Sequence, residues 1–182
     1  MSLTTDFLDN YANFMANQAI LIPAQVPKKN QKLDFLPQGA HAAYLKKTDK
    51  SVYIPGYYVQ PVANNINEYA LPTQQPGTYY MFTDAMNGCQ FLAYGPDRQH
   101  VTVEHNNFID DNDRYAERLQ YITDQNYPYF YHISAGLNNI PNGTYNFMQG
   151  VNIVGEYTVA NGWHFSVRDR VDLENGTVYG PF

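Results

Sequence analysis

The sequence predicts an α+β fold: a mostly antiparallel β-sandwich core flanked by helices. Three observations predict it. Aromatic residues make up 15% of the chain, with 17 Tyr and 10 Phe, and these favour pleated, half-buried surfaces. Short apolar runs are punctuated by Asn-Gly at 142–143, 161–162 and 175–176, the strongest short hairpin signal. Only two segments carry sustained helical spacing. The length of 182 residues suits one domain spanning 1–182.

The elements follow in order. "TTDFLDNYANFMANQAI" reads as a first helix, capped by Thr5 or Asp6, with Phe7, Leu8, Tyr11, Phe14, Met15 and Ile20 near helical spacing. The prolines of "LIPAQVPKKNQKLDFLPQGAH" argue for a loop. "AAYLKKTDKSVYIPGYYVQPV" predicts a hairpin turning at "TDK", and "NNINEYALPTQQPG" another loop. "TYYMFTDA", "CQFLAYG" and "HVTVEHN" are strands, the last two joined by "GPDRQ". "IDDNDRYAERLQYITDQ" is the second helix. Its acidic first turn suits the positive helix end, so "DDND" reads as capping rather than a metal site, and Tyr115, Leu119 and Ile122 share a face. Strands separated by the Asn-Gly turns complete the chain. The "NGT" triplets are glycosylation acceptors too, but read better as turns.

Composition excludes several function classes. Net charge is −6, and the few lysines gather only in "PKKNQK" and "LKKTDK", so no nucleic-acid partner is expected. One cysteine excludes an intramolecular disulfide framework and a multi-Cys zinc site. No apolar run is long enough for a membrane span, and no signal peptide is recognisable at the N-terminus.

The chemistry concentrates in "TDAMNGCQFLAYGPDRQHVTVEHNN", residues 83 to 107. A lone cysteine is usually a small buried hydrophobe. Cys89, however, follows Asn87-Gly88 at a loop-to-strand edge, where Gly allows close backbone approach and the N–H groups of Gly88 and Cys89 can face an oxyanion. With "GPDRQ" as a simple five-residue loop, Tyr94 opposes His100 and Cys89 opposes His105, within reach of proton transfer. His100 then lies about 17 Å away along the strand and is the rival base. Thr83, at the end of "YYMFT", can sit on a neighbouring strand and orient His105.

Thr83, "MNGC" at residues 86 to 89, and a following histidine resemble the papain-like glutamine deamidases with a β-sandwich core. That group holds Burkholderia lethal factor 1, the catalytic domain of the cytotoxic necrotizing factors and the bacterial chemoreceptor deamidases. The likeness is greatest to the lethal factor and covers about 25 residues. Asn87 stands where its pattern has Ser, and the Cys-to-His gap is longer.

The resemblance implies a catalytic Cys89, His105 and Thr83, a thioester intermediate, and conversion of a target protein's glutamine to glutamate without cofactor or metal. It also implies a bacterial toxin or effector, made in the bacterial cytoplasm, delivered to a host cytosol, and acting on a host GTPase or translation factor. Transglutamination is the variant with an amine in place of water.

A reading of another class stands beside it: a non-catalytic, aromatic-rich β-sandwich binding or adhesion module displaying Trp163 and tyrosines. His41, His132 and His164 read as hydrogen-bonded structural residues. Substrate recognition is expected in loops 23 to 40 and 61 to 77, and the thiol is expected to be acidic and quickly alkylated.

Overall fold

The computed structural model describes residues 2–22, 31–73, 77–109, 111–136, 144–146, 150–169 and 176–182. The turns at Asn142-Gly143 and Asn175-Gly176 fall wholly or partly outside them. Among the described residues the elements are helices α1 (Leu3–Asp9), α2 (Tyr11–Asn17) and α3 (Asn112–Asp124) and fourteen strands. These are β1 (Ala19–Leu21), β2 (Gln31–Pro37), β3 (Ala42–Lys47), β4 (Ile54–Val59), β5 (Val62–Ala63), β6 (Glu68–Ala70) and β7 (Tyr79–Thr83). Then come β8 (Gln90–Asp97), β9 (His100–Asn107), β10 (Tyr129–Gly136), β11 (Thr144–Asn146), β12 (Val151–Thr158), β13 (Gly162–Asp169) and β14 (Val178–Tyr179).

The strands form two sheets. The larger has the order β1-β3-β2-β4-β7-β12-β13-β14, and the smaller β11-β10-β8-β9-β5, with β6 also on β9. The fold is the expected α+β class with a sheet-rich core. Four of the pairings are parallel: β1 with β3, β4 with β7, β5 with β9 and β10 with β11.

Alternation along the strands builds three apolar layers. Met81, Val151, Trp163 and Phe165 of the large sheet meet Phe91, Val103 and Ile133 of the small one. The other face of the large sheet buries Phe35, Tyr80 and Phe82 under Phe7, Phe14 and Met15 of α1 and α2. The outer face of the small sheet packs Leu92 and Tyr94 against Leu119 and Ile122 of α3. The chain is thus layered helix, sheet, sheet, helix. No helix among the described residues is long and apolar enough to cross a membrane.

Several local expectations are corrected. The first helix is two, broken at Asn10, whose side chain caps α2 by accepting from the Asn13 N–H; Ser2, not Thr5 or Asp6, caps α1. The strands around "TDK" do not pair with each other: β3 and β4 both lie against β2, which forms from part of the proline-rich "loop". Pro37 sits at the very end of that strand, where a missing N–H costs little. The loop at 61–77 contributes β5 and β6 to the small sheet. Other expectations hold: Asn161-Gly162 joins β12 to β13, and Asp111 caps α3 by accepting from the Arg114 N–H.

Candidate functional site

β7 ends in the large sheet at Thr83, and β8 begins in the small sheet at Gln90. The residues between cross from one sheet to the other. Met86 pins that crossing through paired backbone hydrogen bonds with Val151, at 2.7 and 2.9 Å. Gly88 then turns the chain at φ +114°, a conformation that side chains strongly disfavour. Cys89 follows and enters the layer between the sheets, beside Met86, Phe91 and Val151.

The β8–β9 register differs from the simple-loop expectation. Asp97 pairs with His100 across a two-residue tip, Arg98-Gln99, and an irregularity between Tyr94 and Asp97 absorbs one residue. Gly95 permits it, since a side chain there would collide with the His100 carbonyl. Beyond the bulge Phe91, not Cys89, opposes His105. Cys89 is therefore diagonal to His105. The offset is two residues, so both side chains keep to the same face, at the ~7–8 Å backbone spacing of diagonal neighbours.

His105 is fully buried. Its backbone N–H bonds to the Asn67 carbonyl of the loop before β6. Its Nδ1 lies 3.1 Å from the Val59 carbonyl, at the end of β4 in the opposite sheet. A carbonyl can only accept, so Nδ1 carries the proton and Nε2 is the bare nitrogen. That Nε2 is buried with no hydrogen-bond partner among the described residues. Burial pulls the imidazole down to about 4, against the opposing effect of the Val59 bond, so the ring is neutral at pH 7.

Thr83 is the register partner of Val59 in the β4–β7 pair. Its Oγ1 accepts the Ile153 N–H at 3.0 Å. The group that orients His105 is therefore the Val59 carbonyl, and Thr83 stands beside it on the next strand. Nothing in a one-dimensional reading marks Val59, because its contribution is a backbone oxygen.

Cys89 is 7% exposed. Burial, with a smaller contribution from the Asp84 carboxylate, pushes its thiol up to about 11. This corrects the expectation of an acidic thiol. Asp84 is itself half-buried, accepts the Ala85 N–H at 2.8 Å, and is raised by burial.

Tyr145 of β11 holds the turn. Its hydroxyl accepts the Gly88 N–H at 2.9 Å and donates to the Cys89 carbonyl at 2.8 Å. The Gly88 N–H, expected to face an oxyanion, is thus already engaged.

A cavity of about 280 Å³ reaches this point from the outer face of the small sheet. It is lined by Gly88, Cys89 and Gln90, by Tyr115, Ala116 and Leu119 of α3, and by Ser134 and Ala135 of β10. Ala116 and Ala135 are exposed, so the groove opens to solvent.

The remaining histidines lie elsewhere. His100 is exposed at the hairpin tip, 2.9 Å from Asp97. His164 accepts from Arg98 at 2.6 Å, and His132 stacks on Phe130. Trp163 is buried and donates to the Pro72 carbonyl at 3.1 Å, so it forms no binding surface. Among the described residues no cluster of metal-ligating side chains occurs. Neither a protein-family model nor a curated protein matches the chain.

Proposed function

We propose that the protein is a cysteine-dependent deamidase that converts a glutamine side chain of a target protein to glutamate. The observation that carries this reading is the bare Nε2 of a fully buried histidine, without a hydrogen-bond partner among the described residues, on the same sheet face as the only cysteine. Burying an unsatisfied acceptor costs about 1–3 kcal/mol. A core without chemical work would gain by an apolar residue there.

The geometry supports a definite sequence of steps. The groove brings the side-chain carboxamide to the Gly88–Cys89 edge of the small sheet, which lines it. Its approach brings the Cys89 Sγ–H proton to His105 Nε2, while Nδ1–H stays on the Val59 carbonyl and stabilises the imidazolium. The sulfur bonds to the carboxamide carbon, and the Cys89 N–H faces the oxyanion. His105 returns the proton to the departing ammonia as the C–N bond breaks. A water molecule, deprotonated by the same Nε2, attacks the thioester; the C–S bond breaks, Nε2 passes its proton to the leaving sulfur, and glutamate and the thiol are released. Thr83, by its tie to Ile153, holds the β7 end beside Val59.

The likeness of residues 83 to 105 to the glutamine deamidases supports a bacterial effector delivered to a host cytosol and a host GTPase or translation factor as target. Mass spectrometry of candidate host proteins treated with this chain tests it. The expected result is a roughly +1 Da Gln-to-Glu change that Cys89→Ser and His105→Ala both eliminate. A change that persists in Cys89→Ser, or none in any treated lysate, refutes the reading.

One observation favours a second reading, a non-catalytic β-sandwich binding module. Cys89 sits in the apolar layer with its thiol pushed up to about 11, as core filler would. Its binding surface would have to exclude Trp163. Under that reading Cys89→Ala keeps every interaction of the protein.

A further inference from the structure

The outer face of the small sheet changes character behind the site. Toward the hairpin tip the β8 residues Leu92 and Tyr94 pack under α3, opposite Glu104 and Thr102 of β9. Behind Cys89 and His105 the face is polar, and Gln90, Glu104 and Asn106 are each at most 1% exposed. Gln90 follows Cys89 in the chain, Asn106 follows His105, and the two oppose each other directly in the β8–β9 pair. Asn106 Nδ2 donates to Gln90 Oε1 at 3.4 Å and to Glu104 Oε2 at 2.8 Å. Gln90 Nε2 donates to Ser134 Oγ of β10 at 3.2 Å and to the Tyr115 carbonyl of α3 at 3.1 Å. Glu104 is gripped by the Arg118 guanidinium, with Nε at 3.0 Å, and accepts the Tyr94 hydroxyl at 2.8 Å.

Such a network is a poor way to gain stability. Buried polar groups replaced by apolar ones of like volume often leave a protein as stable or more so. It is a good way to fix register. Slipping β9 by one residue would turn Glu104 and Asn106 into the apolar layer between the sheets and carry His105 off Cys89's face. The tip cannot supply this information, because the bulge between Tyr94 and Asp97 separates the pairing at the turn from the pairing at the site.

We propose that Gln90 and Asn106 are positioning residues: their cross-strand amide pair, anchored by α3 and β10, sets the register that places His105 on Cys89's face. The register lock stands on geometry alone; its catalytic consequence rests on the deamidase reading.

The test compares wild type, the double variant Gln90→Leu/Asn106→Leu, and the swapped pair Gln90→Asn/Asn106→Gln by NMR. Wild type shows one set of Phe91–His105 cross-strand contacts and a His105 ring protonated at Nδ1 only. The leucine pair should remain folded but show a second set of strand contacts, with the His105 pKa moving by roughly one unit or more toward its ordinary value. The swap should restore both signatures. If the leucine pair fails to fold, Ser134→Ala, which removes a single anchor of Gln90, should show the same changes in weaker form. Wild-type strand contacts and ring signature in the leucine pair, or in Ser134→Ala should that pair not fold, overturn the proposal. So does a swap that behaves like the leucines. With a deamidation substrate in hand, the leucine pair should lose about a hundredfold in rate. A wild-type protein without deamidase activity sinks the functional reading and leaves the NMR outcome to decide the lock.

Discussion

His105 and Val59 join the two sheets: the imidazole Nδ1–H donates to the Val59 carbonyl at 3.1 Å, and the ring's other nitrogen has no partner among the described residues. The first fact sets the tautomer, and the second leaves a buried base beside the only cysteine. Four predictions follow from the surroundings of that pair.

Stability should fall as pH falls from neutrality. The His105 imidazole is pulled down to about 4, so between pH 4 and 6.5 the unfolded chain binds the proton and the folded one does not. Stability is then full above about 6.5 and lost as pH drops toward 4. Roughly 2 kcal/mol should go between pH 7.5 and pH 5. His132 and His164, also lowered by burial, act in the same direction. Urea unfolding at several pH values reads the slope, and His105→Gln should remove most of it. A slope unchanged in that variant contradicts a neutral, buried His105.

The resting thiol should be sluggish. With Cys89 pushed up to about 11, iodoacetamide alkylation at pH 7.5 should run at least a hundredfold slower than that of a free cysteine and rise about tenfold per pH unit. Asp84→Asn removes a nearby carboxylate and should speed it. Labelling at free-thiol rates would show that Cys89 is more open than its burial implies.

Tyr145→Phe should cost about 1–3 kcal/mol, because the Gly88 N–H and the Cys89 carbonyl both lose their partner. Thermal unfolding checks this. An unchanged midpoint would mean that the turn at Gly88 holds itself.

Glu104→Ala should cost more than Tyr145→Phe, about 3–5 kcal/mol, since it removes the acceptor of the Tyr94 hydroxyl and leaves Arg118 the longer 3.5 Å contact with Glu68 and Asn106 the 3.4 Å bond to Gln90. Glu104→Gln should recover part of the loss. Denaturant titration distinguishes this from a surface ion pair, whose removal costs 1 kcal/mol or less.

Much of the site was legible in the chain. "CQFLAYG" and "HVTVEHN" alternate cleanly, so their pairing and the shared face of Cys89 and His105 follow from period two. The direct opposition of these residues did not follow. It depended on "GPDRQ" being a plain loop, and the glycine at its head instead opens a bulge. The spacing of Thr83 predicts a place on a neighbouring strand beside His105; the structure pairs it with Val59, and the bond to His105 comes from the Val59 carbonyl. Gln90 of β8 and Glu104 and Asn106 of β9 carry a legible signal of their own: three polar residues on the sheet face on which Leu92 and Tyr94 pack against a helix.

Local chemistry sufficed for elements whose cause is local. The hairpin at Asn161-Gly162, the Asp111 cap and the face of α3 made by Leu119 and Ile122 are decided within a few residues. The sequence by itself therefore determined the α+β class, the strand pair that carries Cys89 and His105, and the face they share. Tertiary structure alone decided the partner of β3 and β4, the protonation of His105 and the pushed-up Cys89 thiol. The first depends on which strand of the same sheet docks between β3 and β4; the other two depend on which backbone carbonyl, and how much low-dielectric packing, the opposite sheet brings to His105 and Cys89, and no local pattern encodes a contact such as that of His105 with Val59, 46 positions away.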